Sequence, residues 1–439
     1  MAVKRALISA CSALAPLALL GGCAPRPAAK DLQFWTIQLS PKFDPLIKAM
    51  VAEWEGRHPG VKVRWTDLPF GSVERKLLAA VFARTAPDVV NLNPLFAANL
   101  ASKGGLLPLQ NRLAPAATAS YLPEILRAGE QEGQLYSLPW YLTARITLAN
   151  QQLLRRAGYQ QPPRHWAELP AYAETIKRRT GRYALFVTVV PDGSAELLES
   201  MVQMGVVLVD DQHRARFNSA AGRRAFAFWT DLYRRGLLPR EVVSQGFQRA
   251  IELYQSGELA QVASGAEFLH TIQTNAPQVA AETRPYPPLV GVDGAANVAV
   301  MNLAVTKQTP LPAEAVDFAS FVTNPTNQLR FARAAKVLPS SKPALQQLQR
   351  ELRAASQGAA GADLVQRARL LSAETLGHAR VLVPADPGVK RLQAVVYGQL
   401  QRAMLGQLSS DAALAAAERE WNAYAAARWP TRVKVAVRK

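Results

Sequence analysis

The chain has 439 residues, of which 49% are hydrophobic and 19% charged, and carries a formal net charge of +18. This composition excludes a disordered or low-complexity polypeptide, and the length exceeds what one compact core organises, so two lobes are expected. The basic residues are scattered as pairs such as Arg155-Arg156, Arg223-Arg224 and Arg234-Arg235, without a basic run interleaved with aromatics, which argues against nucleic-acid binding and for a solvated face near an anionic membrane surface.

Lys4 and Arg5 precede an apolar stretch from Ala6 to Leu20, shorter than the roughly 20 residues of a membrane-spanning helix. It ends in Leu20-Gly21-Gly22-Cys23. Small residues before a Cys at the end of such a stretch resemble the lipobox of bacterial lipoproteins. The resemblance implies a signal peptide over 1–22, lipid chains of the palmitate type on Cys23, and a short tether over 23–30. An ordinary secretory leader with a chance Cys is the alternative. Cys11, the other cysteine of the chain, would leave with the leader, so no disulfide framework and no Cys metal site are expected.

Strands and helices then alternate, which predicts α/β layers with parallel sheets. A strand is read over 32–38, and Phe43, Leu46, Ile47, Met50, Val51 and Trp54 give a helix over 42–57 stopped by His58-Pro59-Gly60. Val61, Val63 and Trp65 alternate as a second strand. Helix 72–83, strand 87–92 and helix 94–103 follow. Strands 134–140 and 144–150 lead toward a second lobe. There, helices are read over 151–157, 166–179, 194–204, 219–235 and 246–256, with strands over 183–190 and 259–263. Strand 297–305 could return to the first lobe. From Pro312 to Arg428 the composition is helical, with a flexible connection over 352–364. Trp54, Trp65, Trp166 and Trp229 lie on amphipathic faces and read as core.

Several segments, in this order, resemble the extracellular solute-binding family 1, which includes maltose- and glycerol-phosphate-type binding proteins. They begin with Phe34-Trp35, then Glu53-Trp54 through His58-Pro59-Gly60-Val61-Lys62-Val63, Ala86-Pro87-Asp88-Val89-Val90 and Gly104-Gly105-Leu106-Leu107-Pro108-Leu109. Next come Gly133-Gln134-Leu135-Tyr136-Ser137-Leu138-Pro139-Trp140, Ala157-Gly158-Tyr159 and Trp166-Ala167-Glu168-Leu169. Phe217-Asn218-Ser219, Gly236-Leu237-Leu238-Pro239 and Gly257-Glu258-Leu259-Ala260 complete the series. The resemblance implies a two-lobe, periplasmic-binding-protein-like fold with parallel-sheet lobes, a hinge of several crossovers and a helical C-terminal part. One lobe is assigned to 31–142 and 292–338, the other to 143–291 and 339–430, with a basic tail over 431–439. It implies an exported, lipid-anchored monomer facing the periplasm or cell exterior, which captures a sugar or sugar derivative and passes it to the permease subunits of an ABC importer. No nucleic acid and no cofactor is expected.

A sugar offers apolar C–H faces to aromatic rings and hydroxyl edges to amides, carboxylates and Arg. Ligand contacts belong on loops at the carboxyl ends of strands. These rules select Trp35 and Gln38 after the first strand, Asn91 and Asn93 after the third, and Trp140, Tyr141, Thr143 and Arg145 at the first crossover. Glu267 and Phe268 stand where sugar binders of the family carry Gly-Pro-Trp or Gly-Asp-Trp, and Asn297 opens the returning strand. Trp140 is the foremost stacking candidate, Trp35 could equally be a core aromatic, and Arg145 a hinge ion-pair partner. Catalysis is not expected. His58, His165, His213, His270 and His378 show no helical metal-ligand spacing, and no Gly-x-Ser-x-Gly, P-loop or dinucleotide fingerprint is present. A glycan-active enzyme or a ligand sensor on the same fold is the alternative. The ligand stays open among a neutral oligosaccharide, a glycosylglycerol-type solute and a glycerol-phosphate-like anion, with the basic charge favouring the anion.

Overall fold

The structure, a computed structural model, describes residues 30–191, 195–356, 363–383 and 386–429. The expected leader, Cys23, nearly all of the tether and the basic tail lie outside them. In chain order the strands are β1 (Lys30–Ile37), β2 (Val61–Leu68), β3 (Val89–Leu92), β4 (Glu130–Gln131), β5 (Gln134–Leu135), β6 (Ser137–Ala144), β7 (Ile146–Asn150), β8 (Gln261–Ser264), β9 (Thr283–Tyr286), β10 (Ala296–Val305), β11 (Leu338–Pro339) and β12 (Ala379–Arg380).

The first lobe is built on a sheet of order β11-β6-β10-β3-β1-β2, with β12 beside β10. β1 pairs in parallel with β2 and β3, whereas β10 runs antiparallel to both β3 and β6. Helix Asp44–Arg57 crosses from β1 to β2. Pro45 and Asp44 suit its first turn, and its apolar stripe buries Ile47, Met50 and Trp54. Trp54 meets the edge of Phe318 at 5.3 Å, in a core that also holds Phe34, Trp140 and Phe331.

The second lobe surrounds the sheet β8-β7-β9, whose two ladders are antiparallel. Parallel pairing, expected of both lobes, is found here as the single bridges Tyr183/Leu259 and His165/Val290. The strand read over 183–190 does not form a ladder. Its buried run instead exchanges isolated bonds with irregular neighbours, such as Val189 N–H to the Val242 carbonyl. Helix Gln151–Ala157 ends at Gly158 with φ +86°, a left-handed position that glycine takes without steric cost. Helices Ala220–Arg234, Val389–Met404 and Ser410–Arg428 pack around a core containing Trp229, Tyr254, Tyr397 and Trp421.

A third cluster joins Leu142, Val298, Leu345, Leu348 and Leu352, so helix Lys342–Ser356 packs at the hinge end of the first sheet. Of the connection expected to be flexible over 352–364, residues 352–356 continue the helix instead, held by buried Leu352, and 357–362 lie outside the described residues. The chain passes between the sheets at Arg145 and again between β9 and β10, while β12 pairs with β10 in the same region. Across the front, Lys390 of the second lobe pairs with Glu74 of helix Phe70–Phe82. Among the described residues, no helix is long and apolar enough to cross a membrane.

Candidate functional site

Arg145 is the residue between β6 and β7, at the passage from one lobe to the other. Beyond it, Thr147 on β7 faces Ala263 across the ladder, and Gln261 lies two positions from Ala263, on the same face. Helix Glu196–Gln203 covers that face with Glu196, Glu199 and Gln203, which share one side of a helix by their spacing. Trp166, Phe186, Leu289 and Asn297 complete the enclosure. The empty space amounts to about 540 Å³, open solvent at its mouth included.

The helix is tied down along its length. Gln203 Oε1 accepts from Trp166 Nε1 at 2.8 Å, and its Nε2 donates to the Ala295 carbonyl at 2.8 Å and to the Leu289 carbonyl at 3.3 Å. Ser200 Oγ accepts from Trp229 Nε1 at 3.1 Å. At Gly291 the backbone comes so close that a Cβ would stand 1.8 Å from the Gln203 carbonyl oxygen. Thus the turn leading to β10 fits against the helix end only with glycine there.

Charge is concentrated at the hinge side. Arg145 Nη1 donates to Glu199 Oε2 at 2.8 Å. Glu199 is 8% exposed. Burial pushes its carboxyl up from the usual value, and the Arg145 guanidinium opposes that rise, as low dielectric and a nearby cation should. Glu196 is buried as well. Gln261 is 2% exposed, and its Oε1 has no hydrogen-bond partner among the described residues. Such an atom is costly unless something fills its need. Beside the charges, the Arg145 guanidinium lies 6.0 Å from the Phe247 ring centroid, and Phe247 meets Phe268 edge-on at 6.1 Å. The arrangement offers aromatic surface, carboxylate acceptors and amides around one space, which suits a polyhydroxylated molecule.

Of the residues selected from sequence, Arg145 and Asn297 line this space. Asn297 Oδ1 also accepts from Leu382 N–H at 3.1 Å, so it ties the C-terminal crossover to β10. Phe268 stands half-buried against Phe247. Glu267 falls on the short turn Ala266–Phe268, its side chain outside the described residues. On the first lobe, Gln38 is exposed just after β1 with φ +52°, and Trp35 is half-buried against the first-lobe clusters. Tyr141 and Thr143 are half-buried on one side of β6. The Tyr141 phenol is pushed up by burial and by nearby Asp67.

Three of the selected residues are built into the scaffold instead. Trp140 is 0% exposed, with its ring 4.8 Å from Phe331 and 6.4 Å from Phe34, so it fills the core and offers no face to a ligand here. Asn91 is equally buried, and its Nδ2 donates to the Asn302 carbonyl at 3.0 Å, across the β3–β10 pairing. Asn93 caps helix Pro94–Ser102 by accepting from Phe96 N–H at 2.8 Å, which is what an Asn at that position does best. Sequence reasoning missed Glu196, Glu199, Gln203, Gln261 and Phe247, and took Trp166 as core although it also lines the cavity. Of these, Glu199 interrupts the apolar run Leu197-Leu198 to Met201, but a carboxylate on a helix reads first as part of a solvated face. Among the described residues, no group of three or more His, Cys, Asp or Glu could hold a metal ion.

Residues 40–329 match the family of bacterial extracellular solute-binding proteins. A periplasmic-binding protein of Synechococcus sp. MITs9220, provisionally assigned to oligosaccharides, is 64% identical with a TM-score of 0.85, covering 91% of this chain and 100% of its own; it is also known in complex with zinc. An uncharacterised lipoprotein of Streptomyces antibioticus is 28% identical over 75% of each chain. The sugar-binding protein MalE of Xanthomonas citri, 23% identical over 91% of this chain and 98% of its own, has the same fold with a TM-score of 0.73. The two-lobe α/β architecture with a helical C-terminal part is therefore that of periplasmic binding proteins.

Proposed function

The chain belongs to the family of bacterial extracellular solute-binding proteins, and from that premise we propose that it captures a sugar or sugar derivative at the hinge cavity and delivers it to the membrane permease of an ABC importer. The observation that carries this reading is the cavity itself. It places carboxylates, amides and a guanidinium beside aromatic rings, at the point where the chain passes between lobes. The Synechococcus relative, with its oligosaccharide assignment, supports the same class of ligand.

The mechanism needs no bond made or broken. An open form admits the ligand, rotation about the crossovers brings the first-lobe loops over it, and closure excludes water, which strengthens each polar contact. Gln38 and Tyr141 stand on the first-lobe side, Phe268 on the second, and Arg145 and Asn297 at the crossovers between them. The Lys390–Glu74 pair across the front is the kind of contact that a closed arrangement gains. Packing supports lobes made of 31–142 with 292–338, joined by helix Lys342–Ser356, and of 143–291 with the last two helices. Lipid on Cys23 would hold the protein at a membrane facing the periplasm or cell exterior, and more than one acyl chain makes such anchoring stable.

A thermal-shift and calorimetric panel of neutral saccharides, polyols and their phosphorylated forms tests this. A true ligand at about 100 times its dissociation constant adds roughly 2.7 kcal/mol to stability, and it is recovered chemically unchanged. Turnover of a glycan, or no stabilisation by any member, removes the receptor reading.

A further inference from the structure

β1, β2 and β3 run in parallel, so the first lobe has two distinct ends. The carboxyl ends of these strands carry Gln38 and Asn93, on the side where the lobes part. At the opposite end the chain enters at Lys30, and β10, antiparallel to β3, leaves after Val305. Helices Phe70–Phe82 and Pro94–Ser102 each follow a parallel strand and run back to this same end. Lys307 N–H donates to the Gly105 carbonyl at 2.9 Å, and Gln308 Nε2 to the Val81 carbonyl at 2.8 Å. One surface thus gathers the ends of two helices and the turn after β10.

Its unpaired charges are of one sign. Arg84, Lys103 and Lys307 are exposed and make no ion pair among the described residues. Lys30 and Lys62, at the same end, are matched by Glu314 and Glu55. Asp88 is buried and accepts from Gln33 N–H and the Thr309 hydroxyl. Phe82, two positions before Arg84, is 85% exposed. A bare aromatic ring with unpaired cations suits a layer that is anionic outside and apolar beneath, as lipid headgroups are. The tether points to the same occupant. Cys23 lies seven positions before Lys30, and seven residues reach at most about 25 Å. A lipid on Cys23 therefore keeps this end close to the bilayer, where even a weak contact acts as an intramolecular one.

We propose that the end of the first lobe bearing Phe82, Arg84, Lys103 and Lys307 rests on the anionic lipid surface of the membrane that holds the anchor. The carboxyl ends of β1 and β3 then face away from that membrane, so the receptor at rest offers its opening to the solution. This rests on the lipoprotein part of the reading above and adds an orientation to it. The basic charge at this end acts on the bilayer and not on the solute.

A chain of residues 24–439 keeps every described residue and has no thiol, because the cysteines are Cys11 and Cys23. Its co-sedimentation with vesicles of phosphatidylcholine alone, and of phosphatidylcholine mixed with phosphatidylglycerol, tests the contact. Binding to the mixed vesicles alone is expected, weakened by added salt. It should fall about fivefold for each cation removed in the combined variant Arg84→Asn, Lys103→Gln, Lys307→Gln. A polarity-sensitive dye on Phe82→Cys should shift to the blue on the mixed vesicles. The same dye on Lys42→Cys, in the loop after β1, should not. Absence of binding to the mixed vesicles overturns the proposal. So does native-like binding of the combined variant, which would assign the affinity elsewhere, such as to the basic tail. A blue shift at Lys42→Cys, or none at Phe82→Cys, overturns it as well. The mass of the exported protein decides acylation separately. Acyl chains on Cys23 with any of those vesicle results overturn the docking end alone, and an unmodified Cys23 overturns the resting orientation together with the anchor.

Discussion

Trp140 and Arg145 sit close together on the segment that leads from the first lobe to the second, yet their surroundings are opposite. Trp140 is sealed among Phe34, Tyr141 and Phe331, while Arg145 opens onto a polar cavity and pairs with a buried carboxylate. One end of the crossover is a dry core that fixes the first lobe. The other is a polar wall whose groups are held in place by helix Glu196–Gln203. A dry core and a polar cavity are thus separated along one short crossover segment, and substitutions on the two sides should be felt in different measurements.

The largest expected effect is on the dry side. Trp140→Ala should destabilise the protein by about 3–5 kcal/mol, as loss of a buried aromatic does, measured by denaturant unfolding, while the folded fraction keeps its affinity for saccharide. A variant that keeps its stability and loses its ligand would place Trp140 back in the site. Next, Gln203→Ala removes the acceptor for Trp166 Nε1 and the donor to two backbone carbonyls. A cost of about 2 kcal/mol is expected from buried groups left without partners, together with weaker ligand binding because the wall loosens. Unchanged binding would mean that the helix is positioned by other contacts.

The smallest effect is a pH dependence. Burial raises the Glu199 carboxyl above its ordinary 4.5, so the folded state holds this proton more tightly than the unfolded one. Its contribution is fully present below 4.5 and is lost as pH rises through the raised value. Melting temperatures of the native chain should therefore fall, relative to Glu199→Gln, as pH climbs from below 4.5 toward neutrality. The opposite slope would show that attraction to Arg145 outweighs burial.

The periodic elements were readable because their faces are one-sided. Ile47, Met50 and Trp54 repeat at helical spacing and are all buried. Arg145 and Asn297 were placed at the crossovers by chain order, and both line the cavity there while also serving the scaffold, Arg145 in its pair with Glu199 and Asn297 in its bond from Leu382 N–H. The misplacement of Trp140 follows from strand parity. Trp140, Leu142 and Ala144 share the fully buried face of β6, and Tyr141 and Thr143 share the other. Trp140 and Tyr141 therefore could not both face the ligand. Glu196 and Glu199 were hidden for a different reason. Carboxylates on a helix ordinarily read as a solvated face, and only the tertiary placement of that helix over β7 and β8 turns them inward. Leu352 illustrates the same limit, because a residue in an Ala- and Gly-rich stretch gave no sign of the cluster it completes.

The contact between Gly291 and the Gln203 carbonyl has a mechanical consequence. With no room for a side chain between them, that turn and the carboxylate-bearing helix form a welded seam and must travel as one body. Gln203 Nε2 lengthens the seam by donating to the Ala295 carbonyl, so the turn is held on both sides of its tip. Val292, fully solvent-facing at 101% exposure, lies between those two ties.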